Sequence, residues 1–472
     1  MKNKDLTNNF FLSSIIADKY VISIEELQLW LKDIEKTSNF NVEEIPFNKL
    51  DKWYFDVANS NLKHVSGKFF SIEGLHIQVD FDGRTQSWDQ PIINQPEIGI
   101  LGIITKIFDG TRYFLMQAKM EPGNINNLQL SPTLQATKSN FSQAHKGKVP
   151  LYLEYFIDST KSSVIVDQLQ SEQGGRFLKK RNRNMIVEVM DEIIVHDDFC
   201  WLTIFQLKQL IKMDNLINMD SRSVISCIPF DNEKFVIADF INKNVTNDSF
   251  DLAIMKSIVS NDTLHTIDDI LRWMTNEKVS NNSIVKSIPL RELKDWHITV
   301  NEIRHNTDNR FSVVGLKVNA NSREVVSWTQ PIVKDLKIGL IGFLTKTINN
   351  IDHFLVQAKF EPGNMDIIDL APTVSCSNYQ EMDKMNRDVR FLDIFLDNSQ
   401  VSLKYDHLQS EEGGRFYHFQ NRYIIAHLNN DIEIALPGNY RWMTLGQIME
   451  LAKFGYFNIE ARSLLACIDF LK

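Results

Sequence analysis

In SIEELQLWLKDIEK the apolar positions Ile24, Leu27, Trp30, Leu31 and Ile34 recur at the spacing of one helical face. Ser23, with Glu26 three residues on, completes a capping box, so a helix is predicted from Ile24. TIDDILRWMTNEK repeats the pattern, with Thr266 as cap, Asp269 third and Trp273 where Trp30 stood. The period then shortens. β-branched and aromatic runs broken by Gly, Pro, Asn and Asp predict strands over 70–81, 98–108, 113–121, 151–157, 163–170 and 184–189. Helical spacing returns in TIFQLKQLIKM and DSRSVISCI, in TLGQIMELAKF and EARSLLACI, and in DSFDLAIMKSIV. Residues 1–20 show no clear period. Helices flanking mixed or antiparallel strands define the α+β class.

This order of elements occurs twice. LQSEQGGRF at 169–177 and LQSEEGGRF at 408–416 share eight of nine positions at a separation of 239 residues. WDQP answers WTQP, IGILGIITK answers IGLIGFLTK, FLMQAKMEPGN answers FLVQAKFEPGN, and SPT answers APT. RNRN answers QNRY, and SRSVISCI answers ARSLLACI. A repeat of this length implies two tandem homologous modules, assigned to 1–230 and 263–472 and joined by 231–262.

Composition narrows the function classes. A chain of 472 residues has room for two full cores. Its charge, 51 − 60 = −9, argues against nucleic-acid or anionic-membrane binding by bulk electrostatics. No run of about 18 apolar residues suggests a membrane span. Cys200, Cys227, Cys376 and Cys467 lack metal-binding spacing and read as free thiols of a reducing compartment. The N-terminus lacks a continuous secretory apolar segment, so a cytoplasmic protein is expected.

The chain contains no G-x-G-x-x-G after a strand, no phosphate-binding G-x-x-x-x-G-K-[ST], no H-E-x-x-H and no G-x-S-x-G. Neither a cofactor nor a metal is signalled, and any chemistry falls to side chains. Strand alternation in FLMQAKMEPGN sets Gln117, Lys119 and Glu121 on one face and Met116, Ala118 and Met120 on the other. The polar face either is solvated or lines a pocket, and its return as Gln357, Lys359 and Glu361 favours the pocket. In the opening motif, Gln170 and Glu172 precede the glycine pair, and Arg176 can fork onto a phosphate. Gln409, Glu411 and Arg415 repeat the set. The alternative is that each Arg pairs with Glu172 or Glu411 and staples the repeats. Asn182 with Arg183, and Asn421 with Arg422, add donors. Trp88 and Trp328 either stack on a base or sugar or belong to the core.

The copies diverge between 131 and 152. The first carries Thr137, Ser139, Asn140, His145 and Tyr152; the second has Cys376 and Met382 and no histidine in the stretch. His145, the side chain there that titrates near neutrality, is either a surface residue or a proton-transfer group.

SPTLQATKSNF, the following His-Lys-Gly and Tyr-Leu-Glu-Tyr-Phe, LQSEQGGRF with KRNRNMIVEV, and QAKFEPGN, APT and LQSEEGGRFYHFQNRY resemble the NDP-hexose 2,3-dehydratases of deoxysugar biosynthesis, over nearly the whole chain. That resemblance implies a Nudix-like fold present twice per chain and a homodimer. It also implies loss of water across C2 and C3 of a dTDP-4-keto-6-deoxyglucose. The 3,4-diketo product would pass to a ketoreductase or aminotransferase. No Nudix catalytic box is present. On this reading the first module is the working site, with His145 in proton transfer and Lys119 or Glu172 polarising or protonating. Arg176, Asn182 and Arg183 lie on the diphosphate, and Trp88, Gln117, Thr137, Ser139, Asn140, Tyr152 and Gln170 complete the substrate contacts. The second module would bind a nucleotide sugar through Trp328, Lys359, Gln409, Arg415, Asn421 and Arg422. The rival readings are a catalytically silent nucleotide-sugar binder and a Nudix-like pyrophosphohydrolase.

Overall fold

A computed structural model of the chain describes residues 9–81, 84–137, 149–244, 250–307, 310–320, 326–379 and 389–470. The capped helices form where the sequence marks them. Ser23 and Glu26 close both bonds of a capping box on Ile24–Thr37, and Thr266 and Asp269 do the same on Ile267–Ser280. Leu27 and Leu31 of the first helix are buried, as the periodicity requires. Phe250–Val259 is the predicted extra helix. A short helix, Phe10–Ile15, lies in the stretch with no clear period, its first free N–H groups held by the Glu233 carboxylate at 2.8 and 2.7 Å.

Each half builds a mixed sheet around a parallel pair. In the first, Gly99–Phe108 runs parallel to Arg181–Glu188 and antiparallel to Thr111–Met120. In the second, Gly339–Ile348 runs parallel to Gln420–Leu428 and antiparallel to Ile351–Phe360. One predicted strand is a helix instead: within 151–157 the chain turns at Tyr152 and forms Glu154–Ile157. Leu153 and Phe156, one turn apart, are both buried, and the Phe156 ring fills the space over Gly102 that a Cβ there would occupy. Aromatic content suggested a strand, but the apolar positions follow the helical turn.

The halves interpenetrate. Strand Phe40–Ile45 of the first half pairs with Ser312–Ala320 of the second, and Ile284–Ile288 of the second pairs with Ser71–Phe81 of the first. Trp53 Nε1 donates to the Thr329 carbonyl at 2.9 Å, and Trp296 Nε1 returns the bond to Asp89 at 2.8 Å. The largest apolar cluster mixes Phe114 and Ile186 with Phe354 and Ile425. Among the described residues no helix is long and apolar enough to cross a membrane.

Two duplicated motifs fasten this arrangement. The E-P-G-N turn of each half docks on the G-G-R-F turn of the other: Gly123 N donates to Gly413 O at 2.7 Å, and Gly363 N donates to Gly174 O at 2.7 Å. His418 N to Gly123 O at 2.8 Å and Lys179 N to Gly363 O at 2.6 Å complete each clasp. Phe177 and Phe416 meet edge to face at 5.7 Å between the two clasps. Below them, Arg462 donates to the Ser171 carbonyl and to Ser223 Oγ, while Arg222 donates to the Ser410 carbonyl at 2.7 Å and to Ser463 Oγ at 3.4 Å. Both guanidinium groups are fully buried, and these bonds to the opposite half offset much of the cost of desolvating them, Arg462 Nε alone of the two groups' nitrogens being left without a partner among the described residues.

The two glycines of the pair differ in what surrounds them. A Cβ on Gly174 would overlap the Asn364 amide, whereas one on Gly175 meets nothing within 4 Å. Gly174→Ala is expected to cost about 1–3 kcal/mol by overpacking and to lower the thermal midpoint by several degrees. Gly175→Ala should leave the midpoint nearly unchanged; equal shifts in a thermal melt would contradict the clasp.

Candidate active site

Because the clasps exchange loops, each site is built from both halves. In the first half, Lys119 projects from Thr111–Met120 and donates to Gln135, which donates on to Asp220 at the start of helix Met219–Ile225. Glu121 lies 3.5 Å from the Lys119 ammonium, and its Oε2 is buried without a hydrogen-bond partner. Asn182 donates to Glu172 at 2.7 Å and accepts from Gly99 N at 3.1 Å. The second half contributes Glu412 and Arg415. Arg415 Nε donates to Gln95 at 3.1 Å, and its guanidinium lies 4.4 Å over the Phe70 ring. Burial pushes the Asp220 carboxyl up to about 7, with Glu172 and Glu121 adding to the rise. Glu412 is raised well above the usual carboxylate range, first by burial and then by Asp220. Burial also raises Glu172 and lowers Lys180. The site therefore gathers Asp220, Glu412 and Glu172, all raised above the usual carboxylate range, beside a lysine and an arginine.

The second half repeats the plan with different chemistry. A cavity of about 270 Å³ is walled by Lys359, Glu361, Ser375, Asn421 and Glu460, and by Gln173 and Arg176 of the first half. Here the longer Glu460 reaches Lys359 directly at 3.1 Å, and Glu361 meets it at 2.9 Å. Burial works against the Lys359 charge, but Glu361 and Glu460 outweigh it and hold the ammonium above its ordinary pKa. Gln173 donates to Glu411 at 2.6 Å, and burial lifts Glu411 to about 7. A second cavity of about 530 Å³ shares Arg176 and Ser377 with the first and adds Trp88, Gln90, Arg310, Phe311, Asp335 and Lys337. Arg176 is held there by Asp335 at 3.3 Å and lies 4.0 Å over the Phe311 ring.

The family model described as NDP-hexose 2,3-dehydratase matches residues 24–228 and again 267–468. The dTDP-4-dehydro-6-deoxy-α-D-glucopyranose 2,3-dehydratase of Saccharopolyspora spinosa is 43% identical, covering 98% of this chain and 95% of its own. The protein of the same name from Amycolatopsis orientalis is 41% identical over 98% of this chain and 94% of its own. That from Streptomyces violaceoruber is 39% identical over 93% and 95%. The chain belongs to the NDP-hexose 2,3-dehydratase family. Among solved structures, an Ap4A hydrolase of C. elegans aligns with 16% identity over 29% of this chain and 97% of its own, at a TM-score of 0.20, which carries no weight for the fold.

In this 2,3-dehydratase family member, the exchange redistributes the residues singled out from the sequence. Trp88 and Arg176, assigned to the first site, line the second-half cavities. Gln90 bonds both the Trp88 indole, at 3.0 Å, and the Gly175 carbonyl, at 2.8 Å. Trp328, Gln330 and Gly414 repeat those bonds at 2.9 and 2.9 Å, so Trp328 and Arg415, assigned to the second site, accompany the first. The glycine turns staple the repeats, but through backbone bonds; neither Arg176 nor Arg415 pairs with Glu172 or Glu411.

Other assignments move for local reasons. Gln170 and Gln409 are wholly buried against Ala452 O at 2.8 Å and Ile211 O at 2.6 Å, and line no site. Arg183 and Arg422 are gripped bidentately by Asp167 and Asp406. Strand alternation turns Arg183 to the face of Met185 and Val187, away from Asn182, so the pair cannot act together on a diphosphate. Tyr152 is a core residue whose hydroxyl donates to Ile194 O at 2.8 Å. Gln117 is tied to Asp198 at 2.8 Å. Thr137 sits beside Gly99 at the position Ser377 takes in the second half. Lys119, Glu172 and Asn182 stand together in the first-half site, and Lys359 and Asn421 in the second. Ser139, Asn140 and His145 lie outside the described residues.

Sequence reasoning missed Asp220, Gln135 and Glu412. Asp220 was visible only as the Asp-for-Glu460 difference between DSRSVISCI and EARSLLACI, and Glu412 as the one differing position of the nine-residue motif.

Unfolded, Asp220 titrates near 3.8, and folded at about 7. Its contribution to stability is full below the lower value and lost as pH rises through the upper one. Asp220→Asn should flatten the fall in thermal midpoint across that window; an unchanged slope would refute a proton held at this residue.

Proposed function

We propose that the chain is a lyase that eliminates water across C2 and C3 of a dTDP-4-keto-6-deoxyhexose, in the first-half site. The support is the identity of 39–43% to three proteins named for that reaction, joined to a site in which Lys119, Asp220 and Glu412 converge. The C4 ketone acidifies the C3 proton, so a base forms the enolate and the C2 hydroxyl departs with an acid. Lys119, held by Gln135, polarises the C4 oxygen. Arg415 is the cation for the diphosphate, with Asn182 and Glu172 beneath. His145 is retained as the group moving the C3 proton. The enol then becomes a 3,4-diketo-2,6-dideoxy sugar for a ketoreductase or aminotransferase, in the cytoplasm, with the enzyme a homodimer.

The second half binds a nucleotide sugar without turning it over. Its lysine is neutralised by two carboxylates, while Trp88, Phe311 and the cations Arg176, Arg310 and Lys337 suit a base and a diphosphate.

Incubation with the dTDP-4-keto sugar should yield the diketo product, or its breakdown product maltol, equally with and without EDTA. Unchanged sugar would leave only a binding protein, and EDTA-sensitive release of dTMP would indicate a pyrophosphohydrolase. His145→Asn should abolish turnover and spare binding. Arg415→Ala should raise KM at least about tenfold, whereas Arg176→Ala should lower nucleotide-sugar stoichiometry from two per chain toward one. The reverse pattern would return each arginine to its own half.

A further inference from the structure

The two copies of the nine-residue motif differ at one position, Gln173 in the first and Glu412 in the second. Since the turns are exchanged, Gln173 enters the second-half cavity and Glu412 enters the first-half site. Gln173 donates to Glu411 at 2.6 Å. The equivalent pair in the first half is Glu412 with Glu172, two carboxyl groups where the other half has an amide and a carboxylate. Like charges so placed disfavour ionisation of both, and Asp220 and Glu172 each push Glu412 toward its protonated form. Around it, Glu121 is 8% exposed and presents the unpartnered Oε2, and Asp220 is 5% exposed. Among the described residues the Glu412 carboxyl itself makes no hydrogen bond or ion pair.

We propose that Glu412, delivered by the second half, is the catalytic acid that protonates the departing C2 oxygen in the first-half site. The inference rests on the dehydratase reading above. As the C3 proton passes to the site's base, the C3–H electron pair becomes the enolate. That pair then forms the C2=C3 bond as the C2–O bond breaks, and the Glu412 proton joins the leaving oxygen to give water. On ketonisation the Glu412 carboxylate takes the proton of the C3 hydroxyl while the base returns its own to C2, so both groups end as they began. A carboxyl delivered among Asp220, Glu172 and Glu121, and pushed well above the usual carboxylate range first by burial and then by Asp220, suits a proton donor. The second half lacks that acid because its turn partner carries Gln173.

Glu412→Gln places in the first site the side chain that already folds at the equivalent position of the second, so the variant has a precedent within the molecule. In D2O with the dTDP-4-keto sugar, wild type should release the diketo product. E412Q should lose kcat by about 100-fold or more while still exchanging the C3 proton of the substrate for deuterium, read by NMR, because the base step remains. A smaller fall in kcat, or loss of C3 exchange together with elimination, would overturn the role of Glu412 as the acid. Absence of product from wild type would instead remove the dehydratase reading itself.

Discussion

The reciprocal clasp between E-P-G-N and G-G-R-F is the constraint on which the rest depends. Each E-P-G-N turn directly follows the strand that carries the site lysine and supplies Glu121 or Glu361; each G-G-R-F turn carries an arginine and, one step earlier, Gln173 or Glu412. Docking one turn on the other's backbone therefore fixes a lysine of one half against an arginine of the other. The close approach needs glycine at Gly123, Gly174, Gly363 and Gly413, where a Cβ would overlap the opposite turn. The same residues thus hold the halves together and complete both sites, which explains why both motifs persist in duplicate.

On this common frame, small substitutions separate the chemistry. Asp220, one methylene shorter than Glu460, is linked to Lys119 through Gln135, whereas Glu460 meets Lys359 directly and Ser375 bonds both. Glu412 in place of Gln173 sets a second carboxyl, itself half-buried, beside the buried Glu172. The first site leaves Asp220 raised to about 7 beside Glu412, while the second, where Glu411 is raised too, commits Glu460 and Glu361 to neutralising Lys359. An elimination needs the former, and binding a sugar nucleotide tolerates the latter.

Much of the fold could be read from the chain. The capping boxes at Ser23 and Thr266, the α+β alternation, the tandem repeat and the burial of Met116, Ala118 and Met120 opposite Lys119 follow from local pattern. Strand alternation within RNRNMIVEV would also have separated Asn182 from Arg183. The exchange was not legible, because two nearly identical turns give no sign of which partner each will meet: LQSEQGGRF has the same backbone chemistry toward either E-P-G-N. Loop exchange is a property of topology, and it reversed the ownership of Trp88, Arg176, Trp328 and Arg415. Tyr152 misled for a different reason, since an aromatic beside a polar loop reads as a ligand contact until its hydroxyl is found bonded inside the core.

The central claim is that residues distant in sequence, from opposite halves, act in one site. A double-mutant cycle on kcat/KM with Asp220→Asn, Glu412→Gln and the pair tests it most directly. Groups sharing a site should be strongly non-additive, the double variant falling no more than about threefold below the worse single variant. Multiplication of the two single losses would show that Asp220 and Glu412 act independently and would contradict the crosswise site.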